Sequence, residues 1–502
     1  MTADADLRVL FAASEAQPLV KTGGLADVSG ALPPALRHLG VDARILLPAY
    51  PGVIEQIAGA PVGPDLWLLP EAPPARLYEG TLPGTDTPVY ALACASLYER
   101  TGGPYGDAEG REWPDNALRF GMLSRAAALF GRSEGLVEWP ADIVHGNDWQ
   151  TGIAAAQLAH LPNPRARAVL TVHNIAFQGI FPRDVLPRLA LPPQSFGLHG
   201  VEYFGRVSFM KAGLVYAHHI AAVSPTYARE IQTSAFGCGM EGVVVARKDR
   251  LSGVLNGIDT RAWDPATDRH LPTTYRPDRL ADKASSKRAL QERLRLAVDP
   301  RRPVLGVVTR LTWQKGVDLV LGLLPELLRQ PVQIALLGAG DRAYEARWRQ
   351  AAADLPGRVG VTIGYDEGLA HLIEAGADIF LMPSRFEPCG LNQLYSMRYG
   401  TPPVVRRTGG LADSVVDTTL ASLATRTATG FVFEGASEVE LLACIQRALL
   451  AHRDRPTWRE IQRNGMARDF SWDRSAVRRA FSRLSGLYSL NLNPVPVPKR
   501  GS

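Results

Sequence analysis

Residues 383–390 gather side chains that could do chemistry: Arg385, Glu387 and Cys389 follow directly on the apolar run Ile379–Met382. A run that stops at Pro383 and Ser384 reads as a buried parallel strand ending in a turn. In open α/β sheets ligands sit outside the carboxyl ends of such strands. Glu387 therefore reads either as a catalytic or sugar-binding carboxylate or as a helix-start carboxylate satisfying the dipole. Arg310 and Lys315 follow another apolar run, 304–309, and precede an expected helix at 317–328. Two cations there oppose the helix dipole unless an anion completes the site, which favours a diphosphate ligand. Lys21, just ahead of Gly23 and Gly24, is either a solvated loop lysine or an ammonium for phosphate or a substrate hydroxyl. Asp27 is a dipole partner or a polar ligand. Asp148 follows the strand-like run 142–145, and His173 with Asn174 follows 168–172. Polar residues at successive strand ends should converge on one crevice edge.

Those positions need elements to hold them. The letters TGGLAD occur twice, at 22–27 and 408–413, each time after a strand-like run and before a helix-like one. A Gly-Gly turn lets backbone approach a ligand closely, so Gly24 and the trio Thr408, Gly409 and Gly410 read as equivalent turns, one in each half. Two such turns imply two sheets facing each other across a cleft. Strands are expected at 7–13, 43–47, 89–93, 142–145, 168–172, 220–223 and 251–255, and again at 304–309, 334–337, 360–363, Ile379–Met382 and Pro403–Arg406. The Pro-rich stretch between the second and third of these reads as a hairpin or irregular insertion. Helices are expected at 25–39, 115–130, 391–399, 437–451 and 471–488, with 418–429 a loop. Loop 102–113 carries Tyr105 and Trp113, which either stack on sugar rings or pack on their own domain. The Gly338/Gly340 pair lacks the third glycine of a dinucleotide fingerprint. At 502 residues the chain is too long for one core. The strand pattern restarts after a polar linker, which divides it into 1–257, 258–480 and a helix end with loose tail at 481–502.

Bulk composition excludes several classes. With 46% hydrophobic and 21% charged residues, and a net charge of +5 from 55 basic and 50 acidic side chains, this is a soluble enzyme's balance. It is not that of a nucleic-acid binder with a basic stripe. Cys94, Cys238, Cys389 and Cys444 show neither metal-ligand spacing nor a disulfide framework, which points to a reducing cytoplasm. Acidic residues near the start argue against a signal peptide, and no apolar run is long enough to span a membrane.

In chain order the sequence contains KTGGLADV, HGNDW, TVHN, NGID, RLTWQKG and SRFEPCGLNQLYSMRYGT. From Leu7 to about Ser485 it resembles the bacterial glycogen synthases and plant starch synthases. The resemblance implies an α/β fold of two Rossmann-like domains across a deep cleft, the GT-B type. It implies an N-terminal domain for the glucan acceptor and a C-terminal one for the nucleotide. The implied reaction moves glucose from ADP-glucose to the non-reducing end of an α-1,4-glucan with retention, using no metal or other cofactor. Carried over, Lys21 and Gly24 lie near the donor diphosphate and sugar, Arg310 and Lys315 are the diphosphate cations, and Glu387 faces the donor glucose. Cys389, Gly390, Leu391, Thr408, Gly409 and Gly410 line the donor. His173 and Asp148 line the transferred sugar and acceptor side, Asn256 reaches the same cleft, and Asp27 and Tyr105 belong to the acceptor side. Two positions depart from the pattern: Asn147 stands where many relatives have His, and Tyr395 where a wider group of retaining transferases has a second glutamate. Retaining glycosidases use two carboxyls roughly 5 Å apart, and no second one stands beside Glu387. Front-face attack follows, with the leaving phosphate taking the acceptor proton and His173 and Glu387 holding the sugar. A phosphorylase-like transferase would carry a pyridoxal-phosphate lysine motif, and none occurs. A catalytically silent carbohydrate-binding protein would have lost Lys315 or Glu387, and both are present.

Overall fold

The computed structural model describes residues 7–134 and 136–472. The chain forms two compact units: one runs to Gly257 and takes back Trp472, the other is Ile258–Ser471. The second unit thus ends at Ser471 rather than at 480. Trp472 is buried in the first unit's core with Val9, Phe11, Val28 and Ile143, so the chain returns there to cover apolar surface. The expected helix at 471–488 and the tail at 481–502 fall almost wholly beyond the described residues.

In the first unit seven parallel strands lie in the order Leu251–Gly253, His219–Ala222, Arg167–Val172, Ile143–Asn147, Arg8–Ala12, Asp42–Pro48 and Pro88–Ala93. Ala75–Thr81 and Ala60–Leu66 extend the sheet antiparallel. The Pro-rich stretch is therefore a sheet extension, and most of its outermost strand is exposed. Central strands read as unbroken apolar runs because helices cover both faces; Val9 to Ala12 are all buried. The order reverses at Arg8–Ala12, so the carboxyl ends of that strand and of Ile143–Asn147 border the topological switch point.

The second unit repeats the logic with six parallel strands, in the order Val359–Ile363, Gln333–Gly338, Val304–Val308, Ile379–Met382, Pro403–Arg406 and Phe431–Phe433. Its switch point lies between Val304–Val308 and Ile379–Met382. The segment expected as a loop at 418–429 contains the helix Leu420–Ala424, capped reciprocally by Thr419 and Ser422. Among the described residues no helix is long and apolar enough to cross a membrane.

Candidate active site

Two loops leave the switch point of the second unit and lock onto each other. After Val304–Val308 the chain makes a 3-10 turn at Trp313–Lys315 and enters the helix Val317–Leu327 through Gly316. Gly316 has φ +66°, and a Cβ there would lie 2.2 Å from the Pro383 carbonyl oxygen, so both conformation and packing demand glycine. The Arg385 N–H donates to the Gln314 carbonyl at 2.8 Å, and the Gln314 amide donates to the Phe386 carbonyl at 3.2 Å. The Arg385 guanidinium grips both oxygens of Asp318 at 2.7 Å, donates to the Trp313 carbonyl at 2.7 Å, and lies over the Trp313 ring. The bond to Asp318 raises its pKa further.

This clamp brings together Lys315 and Glu387. Lys315 Nζ donates to Glu387 Oε2 at 2.5 Å, and Ser384 Oγ donates to the same oxygen at 3.0 Å. The side chains are 15% and 7% exposed, so the pair is mostly withdrawn from water. Oε1 makes no hydrogen bond among the described residues and is the oxygen presented outward. Arg310 is exposed at its strand end and makes no ion pair among the described residues. The two expected cations therefore differ: one is built into the site and the other stands in solvent.

A bidentate guanidinium cannot be copied by an ammonium. Arg385→Lys is expected to lower kcat/KM about tenfold, while the melting temperature falls by only a few degrees. Asp318→Asn should act in the same direction, and the double variant should be little worse than either single one. Initial rates and thermal unfolding of the three proteins check this.

The trio Thr408, Gly409 and Gly410 packs against the same loop. Gly409 has φ +42°, and a Cβ there would lie 1.9 Å from the Glu387 carbonyl oxygen. The Gly410 N–H donates to the Glu387 and Pro388 carbonyls at 3.1 Å. That N–H is spent inside the loop, so Gly410 serves by fit rather than by offering an amide to a ligand. The helix expected at 391–399 is the short Asn392–Arg398, and the one expected after Gly410 begins at Gly409 and ends at Ser414. Asn392 ties the former to the neighbouring strand end through the Val308 carbonyl, 2.6 Å. Cys389 is buried, and Gly390 and Leu391 are half-buried beside it. Tyr395 stacks on Trp263, with ring centroids 3.8 Å apart, and is part of the core.

In the first unit the TGGLAD copy is built differently. Buried Glu15 accepts from the Thr22 N–H at 2.6 Å, the Thr22 hydroxyl at 2.9 Å, the Gly23 N–H at 3.2 Å and the Tyr105 hydroxyl at 2.6 Å. Those donors fix the turn that carries Lys21, and Gly24 opens a fifteen-residue helix. The six letters thus mark two different structures: the second copy's glycines lie against the Glu387–Cys389 backbone, while Glu15 holds the turn of the first. Lys21 pairs with Asp27 at 2.6 Å. Tyr105 is half-buried, and its hydroxyl also contacts Ser14 at 2.8 Å. Burial, then the Glu15 charge, pushes its phenol well above the ordinary range. It braces the Glu15 loop instead of standing as an open sugar platform. Sequence reasoning passed over Glu15; an acidic residue between a buried strand and a Gly-Gly turn was the available signal.

Asp148 has φ +57° and is buried. Its Oδ1 accepts from the backbone N–H groups of His173 and Asn174 at 2.8 and 3.1 Å. Burial pushes its pKa up to about 7 against the pull of those two donors. Asp148 therefore ties two strand ends together and touches the His173 backbone, not its ring. The ring lies against Asn147, with Nε2 to Oδ1 at 3.0 Å. Asn256 is half-buried at the end of the first unit.

Comparison with known proteins identifies the family. Residues 8–246 match the family model described as starch synthase catalytic domain, and 291–465 match glycosyl transferases group 1. A glycogen synthase of Aromatoleum aromaticum is 56% identical over 95% of this chain and 96% of its own length. Glycogen synthase 1 of Methylococcus capsulatus is 51% identical over 96% of each. The catalytic domain of starch synthase IV from Arabidopsis thaliana, solved bound to ADP and acarbose, superposes with a TM-score of 0.88 at 31% identity, covering 96% of this chain and all of that one. A sucrose-phosphate synthase from Thermosynechococcus elongatus, at 17% identity and a TM-score of 0.59, shares the fold. Two α/β units built on parallel strands, and relatives this similar over nearly the full length, make the chain a member of the glycogen and starch synthase family of GT-B glycosyltransferases.

Proposed function

We propose that this protein is a glycogen synthase that transfers glucose from ADP-glucose to the non-reducing end of an α-1,4-glucan with retention of configuration. The observation that carries the reading is the Lys315–Glu387–Ser384 constellation at the switch point of the second unit, in a chain whose similar relatives are named for this activity. The bond from glucose C1 to the β-phosphate oxygen breaks, and a bond from C1 to the acceptor hydroxyl oxygen forms on the same face. The acceptor proton goes to the departing phosphate oxygen. Charge growing on that phosphate is met by Lys315 and Arg310, which supports a reaction needing no divalent cation. Glu387 Oε1 faces the sugar. Front-face attack is favoured because the Asp318 carboxylate of the same clamp has both oxygens held by Arg385. In the first unit Lys21 serves the donor diphosphate and sugar, His173 the transferred sugar, and Asp27 the glucan. Four cysteines outside any disulfide, three of them buried, support a cytoplasmic enzyme.

The test is incubation of the purified protein with glycogen and radiolabelled ADP-glucose or UDP-glucose in EDTA, counting label in precipitated polymer. Incorporation from ADP-glucose is the expected result. Label from UDP-glucose alone would overturn the donor, and label from neither would favour a carbohydrate-binding protein without transferase activity.

A further inference from the structure

The structure assigns a job to Asn147: we infer that it is a positioning residue that fixes His173 in the tautomer bearing its proton on Nε2, so that Nδ1 is presented as a hydrogen-bond acceptor for a sugar hydroxyl. The argument starts from the amide. Asn147 is 1% exposed and ends the strand Ile143–Asn147. Its Nδ2 donates to the carbonyl oxygens of Ala12 and His145, at 3.1 and 3.3 Å. Backbone carbonyls only accept, so the amide cannot be turned round without setting oxygen against oxygen twice. Its Oδ1 must then face His173 Nε2, 3.0 Å away. An amide oxygen has no proton to give, so the ring nitrogen donates.

The ring's charge state leaves no other option. Burial, then the neighbouring His145, lowers the His173 pKa to about 3, so the imidazole is neutral at physiological pH and carries one ring proton. With that proton on Nε2, Nδ1 holds a lone pair. Nδ1 has no hydrogen-bond partner among the described residues and is not a sealed buried atom. The backbone is fixed independently: the His173 N–H donates to Asp148 Oδ1, so the ring pivots on a held main chain. An acceptor-only nitrogen selects a hydroxyl donor, the group in which a glucosyl unit is richest. Only this last assignment rests on the transferase reading; the tautomer does not.

Full-length protein labelled with 15N and 13C in histidine tests the proposal, the His173 signals being those absent from His173→Gln. The expected spectrum has a protonated Nε2 and an unprotonated Nδ1 in the unliganded protein. Asn147→Ala should show both tautomers, and kcat should fall about tenfold, the worth of one hydrogen bond, with donor KM changed less. Asn147→His, whose imidazole can donate to one carbonyl while accepting from His173, should restore the single tautomer and part of the rate. A proton on Nδ1 in the parent protein overturns the proposal whatever the variants do. An active parent with an unchanged tautomer and rate in Asn147→Ala also overturns it. The expected tautomer in a parent that transfers no glucose would leave the positioning role standing and overturn the transferase reading instead.

Discussion

Glutamine at position 387 is expected to lower kcat for glucosyl transfer by about a hundredfold or more, with a well-folded protein and a donor KM within a few-fold of the parent's. The choice of glutamine follows from how the carboxylate is held. Lys315 Nζ and Ser384 Oγ both donate to Oε2. The amide oxygen of glutamine can receive both, so the loop keeps its internal bonds. What changes is the other position, where an outward-facing oxygen bearing negative charge becomes an NH2 donor. The substitution isolates the group offered to the sugar from the group that holds the loop. Glu387→Ala removes both, strands the mostly buried Lys315 cation, and should cost stability as well as rate. Steady-state transfer rates and melting temperatures of the two variants distinguish these cases. Near-parental kcat in Glu387→Gln would show that charge at Oε1 takes no part in the chemistry.

The parts of this site that the sequence disclosed were those written locally. Runs such as Ile379–Met382 and 304–309 are legible because strands buried on both faces need uninterrupted apolar residues. Whatever polar residue follows such a run stands at a sheet edge, which is how Glu387, Lys315, Asp148 and His173 came to notice. Partnership is a different matter. Lys315 and Glu387 are 72 positions apart, and Glu15 and Tyr105 are 90 apart; only the strand order makes them neighbours. The repeated TGGLAD shows the limit of local reading: glycines alike in sequence are demanded by the Glu387–Cys389 backbone in one copy, while in the other a distant carboxylate fixes the turn. Weakly patterned edges were also hidden. Ala60–Leu66 is largely exposed and too polar to register, and Phe431–Phe433, though apolar, is only three residues long. Asn147 was legible as a departure from the family pattern, but its hydrogen bonds to Ala12, His145 and His173 exist only in the fold.

Replacing Lys315 by glutamine is expected to lower kcat/KM by about a thousandfold, through both a weaker donor complex and a slower step. Lys315 pairs with Glu387 in a mostly buried setting, and in the proposed reaction it also meets the leaving diphosphate. Removing it leaves the carboxylate with Ser384 alone, and a charge left unpaired away from water is costly. Arg310 offers the contrast. It is exposed, where a charge contact is worth about 1 kcal/mol, so Arg310→Gln should lower kcat/KM only several-fold. Lys315→Arg restores charge but not shape. A planar guanidinium cannot reproduce the single ammonium contact to Glu387 Oε2, so the arginine variant should remain impaired in kcat. Donor titrations with each variant give KM and kcat separately. The double variant Lys315→Gln with Glu387→Gln separates folding from chemistry: with neither charge present it should recover melting temperature relative to Lys315→Gln while transfer stays lost. If Lys315→Gln keeps the parent's donor KM and rate, the assignment of Lys315 to the diphosphate fails, and the ion pair is a structural bond alone.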